Sequence, residues 1–154
     1  MSNNLDDLYR DIIMDHYKYP RGKSKIADAN ILNEGKNPVC GDEIAVSLKV
    51  NGSLVEDISV NCMGCAISIA SGSMLAETLK GKTIDEIKKI AKVVKAILKG
   101  EEPSENTDLG DLEALEGVRK FPVRIKCALL SWTTLIDGLE AWESENLIDT
   151  SSVE

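Results

Sequence analysis

The fold is decided by residues 44–65, IAVSLKVNGSLVEDISVNCMGC. Apolar residues alternate with polar or small ones on both sides of Asn51-Gly52, which predicts two antiparallel strands joined by a short loop. A three-residue loop would place Val46 opposite Ile58, whereas a two-residue turn would place it opposite a carboxylate. Because a slip of one residue turns every side chain to the other face, we expect the register with the three-residue loop.

The pattern downstream of the hairpin is typical of helices. Alternation ends after Gly64, and the small and apolar residues from 65 to about 79 predict a buried helix that begins at or beside a cysteine. Thr83 and Glu86 have the spacing of a capping box, which predicts the start of a second helix. That helix has one apolar face and is expected to end at Gly100.

Upstream of the hairpin we expect one helix and one short strand. Apolar residues recur every three or four positions from Leu5, which predicts an amphipathic helix that stops near Pro20. Residues 21–38 are rich in Gly, Asn and Lys and contain the apolar pair Ile31-Leu32. This composition indicates a mobile lead-in followed by the short strand.

The C-terminal third is predicted to be helical apart from one acidic loop. Residues 101–111 are expected to form this solvated loop, followed by one short helical turn that ends at Gly117. A last helix should begin at about Lys126, and the tail after about residue 146 should be frayed. We therefore expect one domain over residues 1–154, of class α+β, with a small antiparallel three-stranded sheet and helices packed on one face.

Composition narrows the functional classes. The 154 residues are 43% hydrophobic and carry a net charge of −8, because 18 residues are basic and 26 are acidic. This charge disfavours nucleic acid and anionic membranes as partners. The uncharged stretch 58–76 is interrupted by polar residues, and the N-terminus is polar and acidic, so we expect neither a membrane span nor a signal peptide. We therefore expect a cytoplasmic location, where the cysteines are reduced thiols.

Cysteines carry the chemistry that the sequence offers. They are Cys40, Cys62, Cys65 and Cys127. Asp42 follows the first of them across a glycine, so thiolate and carboxylate could bind one ion, and thiolates with one carboxylate suit Zn²⁺ or iron. The CxxC pair at 62 and 65 is by itself a weak signal, because the other thiols lie 22 residues upstream and 62 residues downstream. Only a folded domain could assemble such a site.

His16 is the only histidine in the chain. It lies on the apolar side of the first predicted helix, where we expect a half-buried imidazole with satisfied hydrogen bonds, not a metal ligand. A single histidine also disfavours hydrolases that need a catalytic His with further partners.

Five motifs in one order carry a family resemblance. They are LYR at 8–10, DHY at 15–17 with Pro20-Arg21, NPVCGD at 37–42, GCAIS at 64–68 and RIKC at 124–127. Together they resemble the SufU branch of the U-type iron–sulfur assembly scaffolds, which are related to IscU and to the N-terminal domain of NifU. The resemblance covers the chain from about Leu5 to Trp142.

Two features favour the SufU branch. Lys126 stands where IscU-type proteins have a histidine, and the chain has an extra segment at about residues 101–120. The resemblance implies a SufE/NifU/IscU-like α+β fold and a resting zinc site. The ligands that it implies are Cys40, Asp42, Cys65 and Cys127.

The resemblance also implies a function in iron–sulfur cluster assembly. Our first hypothesis is a sulfurtransferase-like acceptor that takes persulfide sulfur from a SufS-like cysteine desulfurase at Cys40, with Arg124 as a candidate to stabilise the anion and iron–sulfur assembly or acceptor proteins as later partners. One alternative is a scaffold that assembles a transient Fe–S cluster on the same thiolates. Another is a small interaction module that zinc stabilises. Cys62 is expected to be a small buried residue, with a sulfur relay as the alternative.

Overall fold

The computed structural model describes residues 4–102 and 107–153, and the side chains of residues 5–102 and 107–145. Four α-helices, three strands and one 3₁₀ helix occur in these ranges. In chain order they are α1 (Asn4–Lys18), β1 (Ile31–Asn37), β2 (Asp42–Asn51), β3 (Leu54–Met63), α2 (Ala66–Leu79), α3 (Ile84–Lys99), the 3₁₀ helix (Gly110–Lys120) and α4 (Pro122–Val153).

The three strands form one antiparallel sheet in the order β1-β2-β3. On β2, buried residues alternate with more exposed ones from Asp42 to Val50, so one face of the strand points into the core. Helix α2 packs against β3, and α4 packs against β1 and β2. The predicted α+β class, with helices on one face of a three-stranded antiparallel sheet, is confirmed.

The predicted hairpin register is wrong by two residues. Asn51 pairs with Leu54, so the turn contains two residues, and Val46 lies opposite Val60. The ladder shifts between Lys49 and Val50, and this bulge adds one residue to β3. Turn and bulge together move the register by an even number, so the apolar side chains still share the core face.

The two helices after the hairpin lie where the sequence predicts them. Helix α3 starts with the capping box of Thr83 and Glu86 and ends at Gly100 in the left-handed conformation (φ 76°). Cys65 is the N-cap of α2, most of which is buried, serines included.

The C-terminal third is more helical than predicted. The expected single turn is a 3₁₀ helix of 11 residues, whose apolar side chains are buried. Helix α4 begins at Pro122 instead of Lys126 and its backbone is helical to Val153. Side chains after residue 145 lie outside the described part, so the fraying after about residue 146 stays a prediction. Within the described residues, none of the helices is long and apolar enough to span a membrane.

Candidate metal centre

A tight turn between β1 and β2 presents the first two predicted ligands. The N–H of Gly41 donates to the carbonyl of Asn37 (2.8 Å), and Gly41 has a φ of 75°, which a glycine adopts without strain. The turn places Cys40 just before β2 and Asp42 at its first residue. Cys40 is partly exposed and Asp42 is fully buried.

Three of the four predicted ligands converge. The ligand atoms of Cys40, Asp42 and Cys127 all lie within 4.8 Å of one another. The sulfur atoms of Cys127 and Cys40 are 2.7 Å apart, and both cysteines are free thiols. These residues come from the β1–β2 turn, from β2 and from the second turn of α4, so the centre joins the sheet to the C-terminal helix.

Asp42 is held as a carboxylate. Its Oδ1 accepts the backbone N–H of Cys65 (2.9 Å) and its Oδ2 accepts the hydroxyl of Ser68 (2.6 Å). Burial alone would raise the pKa of Asp42, but these hydrogen bonds outweigh it, and the pKa lies below its ordinary value. Gly64 passes so close that a Cβ there would lie 2.7 Å from the carboxyl carbon.

Cys65 lies at the start of α2, beside the other three. Its sulfur accepts the backbone N–H of Ser68 (3.5 Å), and its own N–H is bound to Asp42. Burial raises the pKa of Cys65, but the hydrogen bonds from Ser68 outweigh it and leave the pKa below the ordinary thiol value. Its sulfur is not in the group of three that lie within 4.8 Å, and turns instead to the helix N-terminus.

Cys127 is fully buried. Burial, the neighbouring thiol of Cys40 and the carboxylate of Asp42 all raise its pKa. The side-chain amide of Asn37 lies 3.8 Å from its sulfur, at the distance of a weak N–H···S hydrogen bond. Burial and these neighbours therefore favour the protonated thiol over the thiolate at this position.

Arg124 lies on the solvent side of the same group. It is exposed, and a hydrogen bond with Cys127 together with the charges of Cys65 and Cys40 raises the pKa of its guanidinium. Arg124 thus places a positive charge beside the thiols and the Asp42 carboxylate, and Lys126, two residues later, is also exposed.

The side chain of Cys62 lies outside the candidate metal centre. It lines a separate cavity of about 240 Å³ together with Tyr17, Arg21 and Lys23. Burial raises its pKa to about 11. A thiol with this pKa is mostly protonated at neutral pH. Cys62 lies near the end of β3 as predicted, but it is half-buried and packs against the core from its edge instead of being fully buried.

Two polar residues of the centre were not singled out from the sequence. Ser68 lies within hydrogen-bonding distance of Asp42 (2.6 Å) and of the Cys127 carbonyl (3.2 Å), and Asn37 reaches both the Cys127 sulfur and the N–H of Val39. Both stand in quoted motifs, GCAIS and NPVCGD, but only the folded chain shows their partners.

The donor set fits a zinc ion. Thiolates together with one carboxylate are donors typical of zinc, and the buried carboxylate is already ionised and oriented by two hydrogen bonds. Thiols from two elements lie beside it, so few side-chain movements are needed to surround an ion. Among the described residues this is one of two groups that could hold a metal ion.

Comparison with protein families identifies the domain to which most of the chain belongs. The family model described as the NifU-like N-terminal domain matches residues 8–128. This range contains all four cysteines and the aspartate of the centre.

Curated proteins and a solved structure resemble the chain over most of its length. The zinc-dependent sulfurtransferase SufU of Bacillus subtilis is 47% identical over 143 residues, which is 93% of this chain and 97% of that protein. The scaffold protein IscU of Streptococcus pyogenes is 36% identical over 140 residues, 90% of this chain and 86% of that protein. A crystal structure from Fervidobacterium islandicum, described as a candidate iron–sulfur cluster assembly scaffold for the SUF system, has a TM-score of 0.79 at 35% identity and covers 90% of this chain and 99% of its own.

Proposed function

The chain belongs to the family of the NifU-like N-terminal domain, and we propose that it acts in iron–sulfur cluster assembly as a zinc-dependent acceptor of persulfide sulfur. One observation carries the proposal: Cys40 is a partly exposed thiol on a turn, while Asp42 and Cys127, with which it shares the centre, are buried. A thiol at the edge of a buried ligand group can meet a donor without exposing the rest of the site.

The resting ion would be held by Cys40, Asp42, Cys65 and Cys127. A bound Zn²⁺ supplies positive charge that favours the thiolate over the thiol. Cys65 joins the other three in this proposal because its N–H is bound to Asp42 and its sulfur lies close enough to Cys127 to affect the pKa of both. Burial of Asp42 and Cys127 keeps water from the inner side of the site.

Sulfur transfer requires a thiolate nucleophile and a persulfide donor. The Cys40 thiolate attacks the outer sulfur of a donor persulfide, a new S–S bond forms on Cys40, and the donor's own S–S bond breaks as its cysteine leaves as a thiolate. The guanidinium of Arg124 lies beside the thiols and stabilises the anionic persulfide on Cys40. No outside oxidant is needed, because one S–S bond replaces another.

The first experiment tests the acceptor residue. The zinc-loaded protein is incubated with a cysteine desulfurase and cysteine, and intact mass is measured after thiol alkylation. We expect one added sulfur on the wild-type protein and none on Cys40→Ala. The matched control is Cys62→Ala, which should still gain one sulfur because the native Cys62 thiol faces the other cavity. Equal labelling of the Cys40→Ala protein would refute the assignment.

The second experiment tests the ligand set by elemental analysis of protein purified without added metal. We expect about one zinc per chain, loss of most of it in Cys65→Ser and Cys127→Ser, and retention in Asp42→Ala because thiolates dominate affinity. If Cys62→Ser loses as much zinc as Cys65→Ser, the CxxC pair and not Asp42 completes the site.

A third experiment tests the zinc-stabilised module by circular dichroism after chelation. The helical signal should persist, since the core does not depend on the ion, and unfolding would favour the zinc-stabilised module.

The similarity to proteins named as scaffolds supports a second candidate, a scaffold that assembles a transient Fe–S cluster on the same thiolates. Lys126 disfavours it, because a protonated amine offers no lone pair to iron. Anaerobic reconstitution with iron and sulfide decides between the two: a stable visible chromophore that displaces zinc would establish the scaffold.

The proposed partners follow from this chemistry. A SufS-like cysteine desulfurase would donate the sulfur, and iron–sulfur assembly or acceptor proteins would receive it. A cytoplasmic setting is consistent with four cysteines that are all free thiols.

A further inference from the structure

His16 is buried, and its surroundings are polar. Its side chain has no exposure to solvent, where the sequence suggested half-burial. It lies where α1 meets α2 and the 3₁₀ helix, and its two ring nitrogens face different partners. The thiol centre lies at the N-terminus of α2, whereas His16 contacts the same helix further along, at Ser73.

The ring is oriented by Ser73. Nδ1 of His16 lies 2.7 Å from the Ser73 hydroxyl oxygen, which also accepts the backbone N–H of Arg21 at 2.8 Å. The 3.0 Å contact of Nε2 with the Asp111 carboxylate requires Nε2–H to donate. A cation at this position would replace that proton, and Nδ1 would then carry the ring proton and donate it to Ser73. This is the arrangement in which a metal-binding histidine is held by a hydrogen bond from its other nitrogen.

Two carboxylates face Nε2. Oδ2 of Asp111 lies 3.0 Å from it and Oε1 of Glu77 lies 3.8 Å from it, and the three atoms lie within 4.8 Å of one another. The 3.8 Å separation is too long for a hydrogen bond. Two ligands on one ion lie about 3 to 3.5 Å apart when each bond is about 2.1 Å, so small side-chain movements would place all three on one centre.

Arg21 binds carboxylate oxygens other than the two that face Nε2 of His16. It binds the other oxygen of Glu77 (3.3 Å) and also Asp15 (2.7 Å). The charges of Asp15, Glu77 and Asp111 against Arg21 give 1 − 3 = −2 when the imidazole is neutral. Glu77 and Asp111 are about half exposed, at 46% and 48%, so the group is open to ions from solvent.

We propose that His16, Glu77 and Asp111 form a second cation site that binds one divalent ion of the Mn²⁺ or Fe²⁺ class. One imidazole and two carboxylates are harder donors than the thiolates of the first centre, so the two sites select different metals. The ion would join α1, α2 and the 3₁₀ helix and would leave coordination positions for water. This site does not depend on the proposed sulfur transfer.

Electron paramagnetic resonance of Mn²⁺ tests the proposal on the full chain with its zinc site filled. Free Mn²⁺ has an intense signal that weakens on binding, and thiolates bind Mn²⁺ poorly, so the first centre does not compete. We expect one bound Mn²⁺ per chain without release of zinc. Asp111→Asn and Glu77→Gln should each weaken binding by about tenfold or more.

Glu113→Gln is the matched control, since Glu113 is an exposed carboxylate on the same 3₁₀ helix outside the group. It removes the same charge and should leave Mn²⁺ affinity unchanged. Circular dichroism checks that all three variants are folded, and either of the two ligand variants suffices for the test. The proposal is overturned if Mn²⁺ does not bind, if Glu113→Gln weakens binding as much as Asp111→Asn, or if Mn²⁺ displaces zinc at one equivalent.

Discussion

Helices α2 and α3 are neighbours in the chain, but local sequence signals set the bounds of α3, whereas contacts with other elements set the position of α2. Helix α3 carries its own start in Thr83 and Glu86, its own stop in Gly100, and one apolar face. Helix α2 is capped by a cysteine and is buried along most of its length. The difference shows which helix depends on its sequence and which on its neighbours.

The serines of α2 make this dependence visible. Ser68 binds Asp42 of β2, Ser71 donates to the Ala128 carbonyl of α4 (2.6 Å), and Ser73 lies against His16 of α1. Each hydroxyl is buried and has a partner on a different element. Since an unpartnered buried hydroxyl costs free energy, the position of α2 is fixed by three elements at once. These contacts therefore also fix the position of Cys65, which lies in the metal centre at the N-terminus of α2.

The largest effect should come from Trp132 of α4. Its side chain is fully buried, and its Nε1 donates to Ser71 (3.1 Å). Trp132→Ala should reduce the free energy of unfolding by about 3 to 5 kcal/mol, measured by denaturant titration. Trp132→Phe keeps most of the volume and should cost less than the alanine variant. Equal losses would mean that the hydrogen bond, not the packing, fixes α2 to α4.

Ser68→Ala should have the next largest effect. It removes the hydroxyl donor from the buried carboxylate of Asp42, and a hydrogen bond to a charged group contributes about 1.5 to 3 kcal/mol. We expect this loss of stability together with faster release of zinc to a chelator. Ser53→Ala, at an exposed turn position, is the control and should stay within about 0.5 kcal/mol. An unchanged rate of zinc release would show that the Ser68 hydroxyl does not contribute to metal binding at the centre.

Gly64→Ala tests the close approach to Asp42. The added Cβ would overlap the carboxylate, so the variant should lose about 1 to 3 kcal/mol and part of its zinc. Gly117→Ala is the control, because a Cβ there would meet Tyr9 at an ordinary 3.5 Å. If both variants retained full zinc, the fit of Gly64 against Asp42 would not matter to the centre.

The smallest effect is expected in α3. Thr83→Ala removes the hydroxyl that accepts the N–H of Glu86 (3.2 Å) and should cost about 1 kcal/mol. Hydrogen exchange should increase in the first turn of α3, while zinc content stays unchanged. A loss of zinc in this variant would show that the two helices are coupled more closely than their contacts indicate.

The same contrast explains what the sequence could predict. Thr83, Glu86 and Gly100 act within a few residues of one another, so the bounds of α3 follow from local pattern. The hairpin register depends on a bulge in β3, and because no local sequence pattern marks this bulge, the predicted register is wrong by two residues. Helix α4 begins at Pro122, because proline is favoured in the first helical turn, whereas the apolar pattern predicts a start at about Lys126.

The centre was predicted from resemblance and chemistry more than from pattern. Cys40, Asp42 and Cys127 do converge, although 85 residues separate the last two along the chain. The supporting contacts of Ser68 and Asn37 span 26 and 90 residues, so spacing alone could not reveal them. Asp111 belonged to a predicted solvated loop, yet it lies against a buried imidazole, since charge runs do not show which member faces inward.

The outer edge of β3 has a consequence for how the chain avoids aggregation. The N–H of Val60 donates to the carbonyl of Gly22 (2.7 Å), and Val55 exchanges hydrogen bonds with Lys82 and Gly81 (2.9 Å each). An uncovered edge strand would be a template for pairing with another chain. Two loop segments therefore occupy three of the main-chain groups through which this edge could pair with a second molecule.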